Sequence, residues 1–234
     1  MKKIGIIGGK SLIETRFWKK GREKKILTQY GKVNFVSFKN LILICRHGKE
    51  GKIPPHKINH KANIFAFKKL GTKFIFSFNS VGSLKRKIKP GDFLITDDFI
   101  DFDPPTFFDK KANFTTPEIS EKLRKVLIKI AKKLKLKFWP RGIYFNTKGP
   151  RLETKAEINL IKRFADVVGM TMAKEATLAK ELNLEYASLC SVDNFAHGII
   201  KKPLNQKEIE ENQKRASKIF EKVIEEILKY ENFD

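Results

Sequence analysis

Short apolar runs alternate along this chain with longer segments in which apolar residues recur every three or four positions. Because strands and helices alternate, the pattern predicts an α/β layered fold whose central twisted sheet, mixed but mostly parallel, is flanked by helices. No repeat or long linker divides the chain, so we expect a single domain over residues 1–234. Several of the predicted strands are apolar enough to be buried on both faces of the sheet. The seven predicted strands are the runs KIGIIG, LILIC, KFIFSF, DFLITDD, GIYFNT, DVVGM and YASLCSV.

Two segments have the period of amphipathic helices. The first covers residues 117–135, where Pro117 stands at a position that the first turn of a helix tolerates. The second follows Asn205, with Glu208 three residues later as in a capping box. The expected buried stripes are Ile119, Leu123, Val126, Leu127, Ile130 and Leu134 in the first helix, and Ile209, Ala216, Ile219, Phe220, Val223 and Ile227 in the second.

Composition narrows the class of protein. Apolar residues make up 41% of the chain, which indicates a globular protein, and no run approaches the ~20 apolar residues of a membrane span. The two cysteines, Cys45 and Cys190, lie in apolar runs without metal-ligand spacing, and are interpreted as core residues of a cytoplasmic protein. The net charge of +23 raises a nucleic-acid alternative, but the lysines are spread over the whole chain, which favours a solvated basic surface.

The stretch GIIGGKSL at residues 5–12 has the composition of a phosphate-binding turn. Its spacing does not match the dinucleotide fingerprint, and Gly5 stands one residue too close to Gly9 for a P-loop. ATP and NAD therefore lose support as ligands. A tight turn without any ligand remains the alternative at this point.

Five further polar clusters follow predicted strands or lie close to them, where α/β sheets bind ligands. They are CRHG (45–48), FNSVGSL (78–84), TKGPRLETKAE (147–157), VVGMT (167–171) and SVDNFAHG (191–198). Together with GGKS (8–11) and PPHKINHKANIFAFKKLG (54–71), their order resembles the trimeric purine nucleoside phosphorylase and methylthioadenosine phosphorylase family. The resemblance covers nearly the whole chain. It is strongest to the branch that contains 6-oxopurine nucleoside and methylthioinosine phosphorylases.

The resemblance implies phosphorolysis: inorganic phosphate, as co-substrate, splits a purine nucleoside into free base and pentose 1-phosphate, with no other cofactor and no metal. It places phosphate against Arg46, which offers a fork of donors, against His47 as a second donor, and against the Thr171 hydroxyl. The backbone around Asn79 and Ser80 resembles the next donor. Positioning and electrostatics would supply the rate, since the reaction needs no general base.

One departure from the family pattern affects this phosphate site. Lys10 stands where the family has a Ser or Thr, and Ser11 stands where it has a Gly. Lys10 could supply a charge, Ser11 could supply the missing hydroxyl, or Lys10 could point to solvent. These alternatives stay open.

The base-reading positions favour 6-oxopurines. The resemblance places Glu153 and Asn194 where 6-oxopurine enzymes of the family carry Glu and Asn, and we expect both residues to act in catalysis. Ala196 stands where 6-aminopurine enzymes carry the second Asp of a pair. An ionised Glu153 accepts from the N1–H of hypoxanthine or guanine and Asn194 donates to the O6/N7 edge, whereas adenine offers Glu153 no proton. Alternation along a strand predicts that Asp193 points away from the base.

The remaining nucleoside contacts implied by the resemblance are Val81, Leu152, Met170, Ala196 and Gln206. Gln206 falls near the 5′ substituent, and the sequence does not separate a 5′-hydroxyl from a 5′-methylthio group. A ring of three subunits would lend apolar loop residues, with Phe107 and Phe108 as candidates and ordinary loop packing as their alternative. A methylthioadenosine phosphorylase is the alternative enzyme, and a basic nucleic-acid-binding protein is the alternative from another class.

Overall fold

A computed structural model describes residues 2–201 and 203–230, so Met1 and the last four residues of the predicted domain lie outside it. The eleven strands of the described residues form one sheet. Their bounds are β1 Lys3–Gly8, β2 Arg22–Thr28, β3 Gly31–Phe38, β4 Leu41–Cys45, β5 Thr72–Ser83, β6 Phe93–Ile95, β7 Asp98–Ile100, β8 Phe138–Trp139, β9 Ile143–Asn146, β10 Val167–Gly169 and β11 Glu185–Phe195.

The main path of the sheet runs β2-β3-β4-β1-β5-β10-β9-β7, and β11 pairs with both β5 and β6. Six of the ten described pairings are parallel, including β1 with β4, β1 with β5 and β5 with β11. The four antiparallel pairings are β2 with β3, β3 with β4, β5 with β10 and β6 with β11. The predicted α/β fold with a mixed, mostly parallel sheet is confirmed.

Helices cover this sheet, and a 3₁₀ turn spans Pro55–Lys57. The helices are α1 Lys10–Ile13, α2 Arg16–Lys19, α3 His60–Lys69, α4 Glu121–Lys133, α5 Lys155–Ile161, α6 Met172–Glu181 and α7 Gln206–Lys229. In α7, Asn205 is the N-cap as predicted, and Ala216, Phe220, Val223 and Ile227 are buried against the sheet.

The predicted start of α4 at Pro117 is wrong. The helix begins at Glu121, because the Ser120 hydroxyl accepts from the Leu123 N–H and so caps the first turn. The Ser120 N–H donates to the carbonyl of Tyr186 in β11, so it takes no part in a helical hydrogen bond. Ile119 is buried although it lies outside the helix.

Two strand predictions also need correction. The run DFLITDD contains two short strands, since β6 pairs with β11 while β7 pairs with β9. The Arg124 side chain occupies the break, where its Nε donates to the carbonyl of Thr96. The strands β2, β3 and β8 were not among the predicted runs; β2, with the sequence REKKILT, is largely exposed and carries too few apolar residues to be recognised.

The predicted core positions of the cysteines are confirmed. Cys45 and Cys190 are buried free thiols, and burial raises the pKa of both. Among the described residues, no helix has the length and apolar character that crossing a bilayer requires.

Candidate active site

A cavity of about 440 Å³ opens where β1, β4, β5, β10 and β11 end or bend. Gly8 of β1 lies beside Cys45 of β4, so the parallel strands deliver Gly9–Ser11 and Arg46–His47 to the same edge. Every predicted site residue except Asn79 lines the cavity: Lys10, Ser11, Arg46, His47, Ser80, Val81, Leu152, Glu153, Met170, Thr171, Asn194, Ala196 and Gln206.

Arg46 is buried and its fork of donors is not free. Its Nε donates to Glu175 Oε1 at 2.6 Å, and its Nη2 donates to Glu175 Oε2 at 3.1 Å and to Ser77 Oγ at 2.9 Å. Its Nη1 donates to the carbonyl of Phe78. The buried carboxylate of Glu175 in α6 and the Ser77 hydroxyl occupy most of this fork, which limits the donors that Arg46 can offer an anion. Arg46 still lines the cavity, and its Nη1 lies 3.7 Å from the position that a Cβ atom on Gly9 would occupy.

His47 is held by its own loop. Its Nδ1 lies 2.7 Å from the carbonyl of Ile53, and since a carbonyl only accepts, Nδ1 carries a proton. Burial, followed by the nearby Arg46 guanidinium, lowers the pKa of His47. In the neutral ring Nε2 is then an acceptor, 3.8 Å from where a Cβ on Gly9 would stand. In this neutral form His47 cannot donate from Nε2, which differs from the expectation that His47 donates to the anion.

The hydroxyl of Thr171 is also engaged. It donates to Asn79 Oδ1 at 3.0 Å, while the Asn79 amide nitrogen donates to Ser77 and Ser188. Asn79 is therefore buried behind the wall, and its side chain positions Thr171. In place of a side-chain cap at the start of α6, the Tyr144 hydroxyl oxygen accepts from the Thr171 N–H.

Lys10 and Ser11 begin α1, directly after β1. Lys10 is exposed and its stem lies beside Gly51, whereas the carbonyl of Ser11 accepts from Ser217 of α7. Both residues line the cavity. The structure thus keeps open both the lysine and the serine alternatives for the anion contact.

Glu153 is buried at the other end of the cavity. Its Oε1 accepts from the Thr147 hydroxyl at 2.6 Å. A capping function at α5 is excluded, because Thr154 and Glu157 already form a complete capping box there. The bond with Thr147 uses only one of the two carboxylate oxygens of Glu153.

Asn194 stands next to Gly82 of β5, and its Nδ2 donates to the carbonyl of Phe195 at 2.8 Å. Its Oδ1 and second N–H are not used in that bond. Between Val192 and Asn194 the register with β5 shifts by one residue, which makes Asp193 a β-bulge. Simple alternation therefore does not describe this segment, and the Asp193 carboxylate turns to the Ser80 hydroxyl on β5.

Several lining residues were not predicted from the sequence. Ile209 and Gln213 follow Gln206 on one face of α7, and this i, i+3, i+7 spacing is the signal that could have identified them. Glu175 carried no signal, because its importance depends on Arg46, which lies 129 positions away. The other unpredicted lining residues are Gly9, Pro55, Gly82, Pro150, Val168, Gly169, His197 and Leu204.

Comparison with known proteins agrees with this site. The family model described as the phosphorylase superfamily matches residues 3–229. The probable 6-oxopurine nucleoside phosphorylase of Archaeoglobus fulgidus is 43% identical, covering 97% of this chain and 96% of its own. The probable S-methyl-5′-thioinosine phosphorylase of Methanocaldococcus jannaschii is also 43% identical, covering 97% and 92%.

Among solved structures, a variant of the adenosine/methylthioadenosine phosphorylase from Schistosoma mansoni in complex with methylthioadenosine is similar, with a TM-score of 0.87. It is 26% identical, and the match covers 100% of this chain and 94% of that one. Sequence motifs, sheet topology and cavity lining thus point the same way. The chain belongs to the phosphorylase superfamily and is an enzyme of its purine nucleoside phosphorylase group.

Proposed function

We propose that this enzyme cleaves 6-oxopurine nucleosides with inorganic phosphate. The observation that carries the proposal is the pair of Glu153 and Asn194 lining one cavity, with Ala196 in place of a second carboxylate. Glu153 needs a proton from its ligand, and the N1–H of hypoxanthine or guanine supplies one. Adenine presents a lone pair at N1 and would leave a buried carboxylate unpaired.

In the proposed reaction a phosphate oxygen attacks C1′ while the C1′–N9 bond breaks. The electron pair of that bond goes to the purine, which leaves as an anion and takes up a proton. Asn194 donates to the O6/N7 edge, where the negative charge develops, and Glu153 keeps the base in register. We expect no cofactor besides the co-substrate phosphate.

The acceptor at His47 Nε2 defines which form of phosphate fits. Hydrogenphosphate carries one P–OH, and neutral His47 accepts from it while Lys10 and the free edge of Arg46 Nη1 donate to the other oxygens. The Thr171 hydroxyl joins them when it turns from Asn79. The proton is thereby held away from the oxygen that attacks C1′.

A ring of three subunits in the cytoplasm completes the proposal. Phe107 already packs in its own chain, with ring centroids 5.0 Å from Tyr30 and 6.1 Å from Phe65. Of the two predicted residues, Phe108 is therefore the better candidate to contact a neighbour. The exposed rings of Phe102 and Phe114 lie in the same loop and support an interface there.

The experiment is a panel of inosine, guanosine, adenosine, methylthioinosine and methylthioadenosine, each incubated with phosphate while free base is measured. We expect the 6-oxopurine nucleosides to exceed their adenine counterparts about a thousandfold in kcat/KM, because a buried carboxylate left unpaired discriminates strongly. A preference for methylthioadenosine over every 6-oxopurine nucleoside would refute the proposal and favour the alternative enzyme. Salt-sensitive DNA binding without any base release would favour the nucleic-acid alternative.

A further inference from the structure

The side chains of Ser80 and Asp193 form a polar pair in the cavity wall that none of the proposed contacts to base or phosphate uses, since the expected phosphate contact at Ser80 is by its backbone. Ser80 is exposed to the cavity, and Asp193 lies directly behind it with only 1% of its surface accessible. The Ser80 hydroxyl donates to Asp193 Oδ2. Gln213 of α7 donates from its Nε2 to Ser80 Oγ at 3.2 Å.

Counting protons shows what Ser80 can offer a ligand. A hydroxyl has one proton and two lone pairs, and the single proton is directed to Asp193. One lone pair receives Gln213. The side-chain oxygen therefore presents an acceptor to the cavity, which leaves any donation to phosphate at this position to the backbone N–H.

The surroundings of Asp193 determine which donor fits. The carboxylate is buried, it forms no ion pair with any described residue, and burial raises its pKa to about 6. At neutral pH a negative charge thus lies behind Ser80 with no cation to offset it. A phosphate anion is repelled at this point, whereas a neutral hydroxyl donor gains a hydrogen bond to a polarised oxygen.

We propose that Ser80 Oγ accepts a hydrogen bond from a sugar hydroxyl of the bound nucleoside, and that Asp193 is the positioning residue that keeps Ser80 in this orientation. The inference rests on the proposed nucleoside phosphorolysis and deepens it, because it assigns recognition of the pentose to residues outside the base and phosphate contacts. The bulge at Asp193 explains how this carboxylate comes to lie behind Ser80.

The test is a matched series of inosine, 2′-deoxyinosine, 3′-deoxyinosine and 5′-deoxyinosine, or the same series on whichever base the panel shows to be preferred. In Ser80→Ala, kcat/KM for the parent nucleoside should fall about ten- to a hundredfold. The one deoxy analogue that lacks the partner hydroxyl should be unaffected, which also identifies the hydroxyl. An equal fall for all four nucleosides, or no fall for the parent, overturns the inference while base release by the wild type still supports the proposed function.

Two further variants complete the design. Ser83→Ala removes a hydroxyl from the same strand that donates to the carbonyl of Lys85 and lies outside the cavity, so all four nucleosides should behave as in the wild type. Asp193→Ala should repeat the selective pattern of Ser80→Ala, because Ser80 is then free to turn. Asp193→Asn keeps an oxygen that accepts from Ser80, and its effect should be smaller. A fall in Asp193→Ala that is the same for every analogue would assign Asp193 a purely structural function.

Discussion

The proposed base site (the base end of the cavity) and the proposed phosphate site (its phosphate end) differ in how their polar side chains are held. At the base end, the side chains of Glu153 and Asn194 each form one hydrogen bond with the described residues, to Thr147 and to the Phe195 carbonyl, and both partners are close in sequence. At the phosphate end, Arg46 and Thr171 are tied to Glu175 and Asn79, partners from distant parts of the chain. The base end can therefore change its specificity with little cost to the fold, whereas changes at the phosphate end also affect stability.

The largest effect should come from breaking the phosphate-end network. Arg46→Ala leaves the fully buried carboxylate of Glu175 without its cation, and we expect the free energy of unfolding to fall by about 3–5 kcal/mol. Denaturant titration measures this. Lys10→Ala, at the same end but exposed, is the matched control and should change stability by less than about 0.5 kcal/mol. If Arg46→Ala is as stable as the control, the two ends do not differ in the way described.

Where Arg46→Ala still folds, its kinetics add a second readout. The KM for phosphate should rise far more than the KM for the nucleoside, because Arg46 lines the cavity beside Gly9, where we propose that phosphate binds. Equal changes in both constants would count against an anion contact by Arg46.

Substitutions at the base end should change substrate specificity and leave stability nearly unchanged. The double variant Glu153→Ser with Asn194→Asp removes the carboxylate that adenine cannot satisfy and supplies an acceptor for its amino group. We expect kcat/KM for inosine to fall about a thousandfold and adenosine cleavage to increase slightly, limited by Ala196. Stability should stay within about 1 kcal/mol of the wild type, which a thermal melt checks. Unchanged inosine activity would exclude these residues as base contacts.

Asp193 offers a smaller effect with a defined sign. Its pKa is raised from 3.8 to about 6 in the folded protein, so the folded state binds the proton more tightly and this residue makes the protein less stable as pH rises from about 4 to about 6. The neighbours that face it are neutral: Ser80 from β5, Ser191 from β11, and Asn212 and Gln213 from α7. The two pKa values correspond to about 3 kcal/mol.

Asp193→Asn removes this titration. The difference in unfolding free energy between the wild type and Asp193→Asn should therefore shift by about 2.5 kcal/mol in favour of the wild type as pH falls from 7 to 4. Urea titrations at several pH values measure the shift. A difference that does not vary with pH would mean that the carboxyl group titrates normally and that its burial carries no cost.

Residue types and their order were sufficient to predict the fold class, most strands of the sheet and 13 of the 23 residues that line the cavity. They did not predict hydrogen-bond direction, because that depends on partners that only the fold brings together. Thr171 was predicted as a donor to phosphate, and its proton instead goes to Asn79 from β5. Asp193 stays out of the cavity lining, as alternation predicted, but the single inserted residue in β11 that turns its carboxylate to Ser80 could not be read from the sequence.

The smallest effect concerns the anion itself. At pH 7.5 neutral His47 offers an acceptor, which fits the P–OH of hydrogenphosphate but opposes sulfate, an anion without a proton. Sulfate should therefore inhibit weakly at pH 7.5. Below the lowered pKa of His47 the ring is a cation whose Nε2 donates, so we expect sulfate inhibition to strengthen about tenfold as the pH falls through that pKa. His47→Asn has no titrating ring and serves as the control. Sulfate inhibition that is independent of pH in the wild type would show that His47 does not distinguish the two anions, and the phosphate end would then select by charge alone.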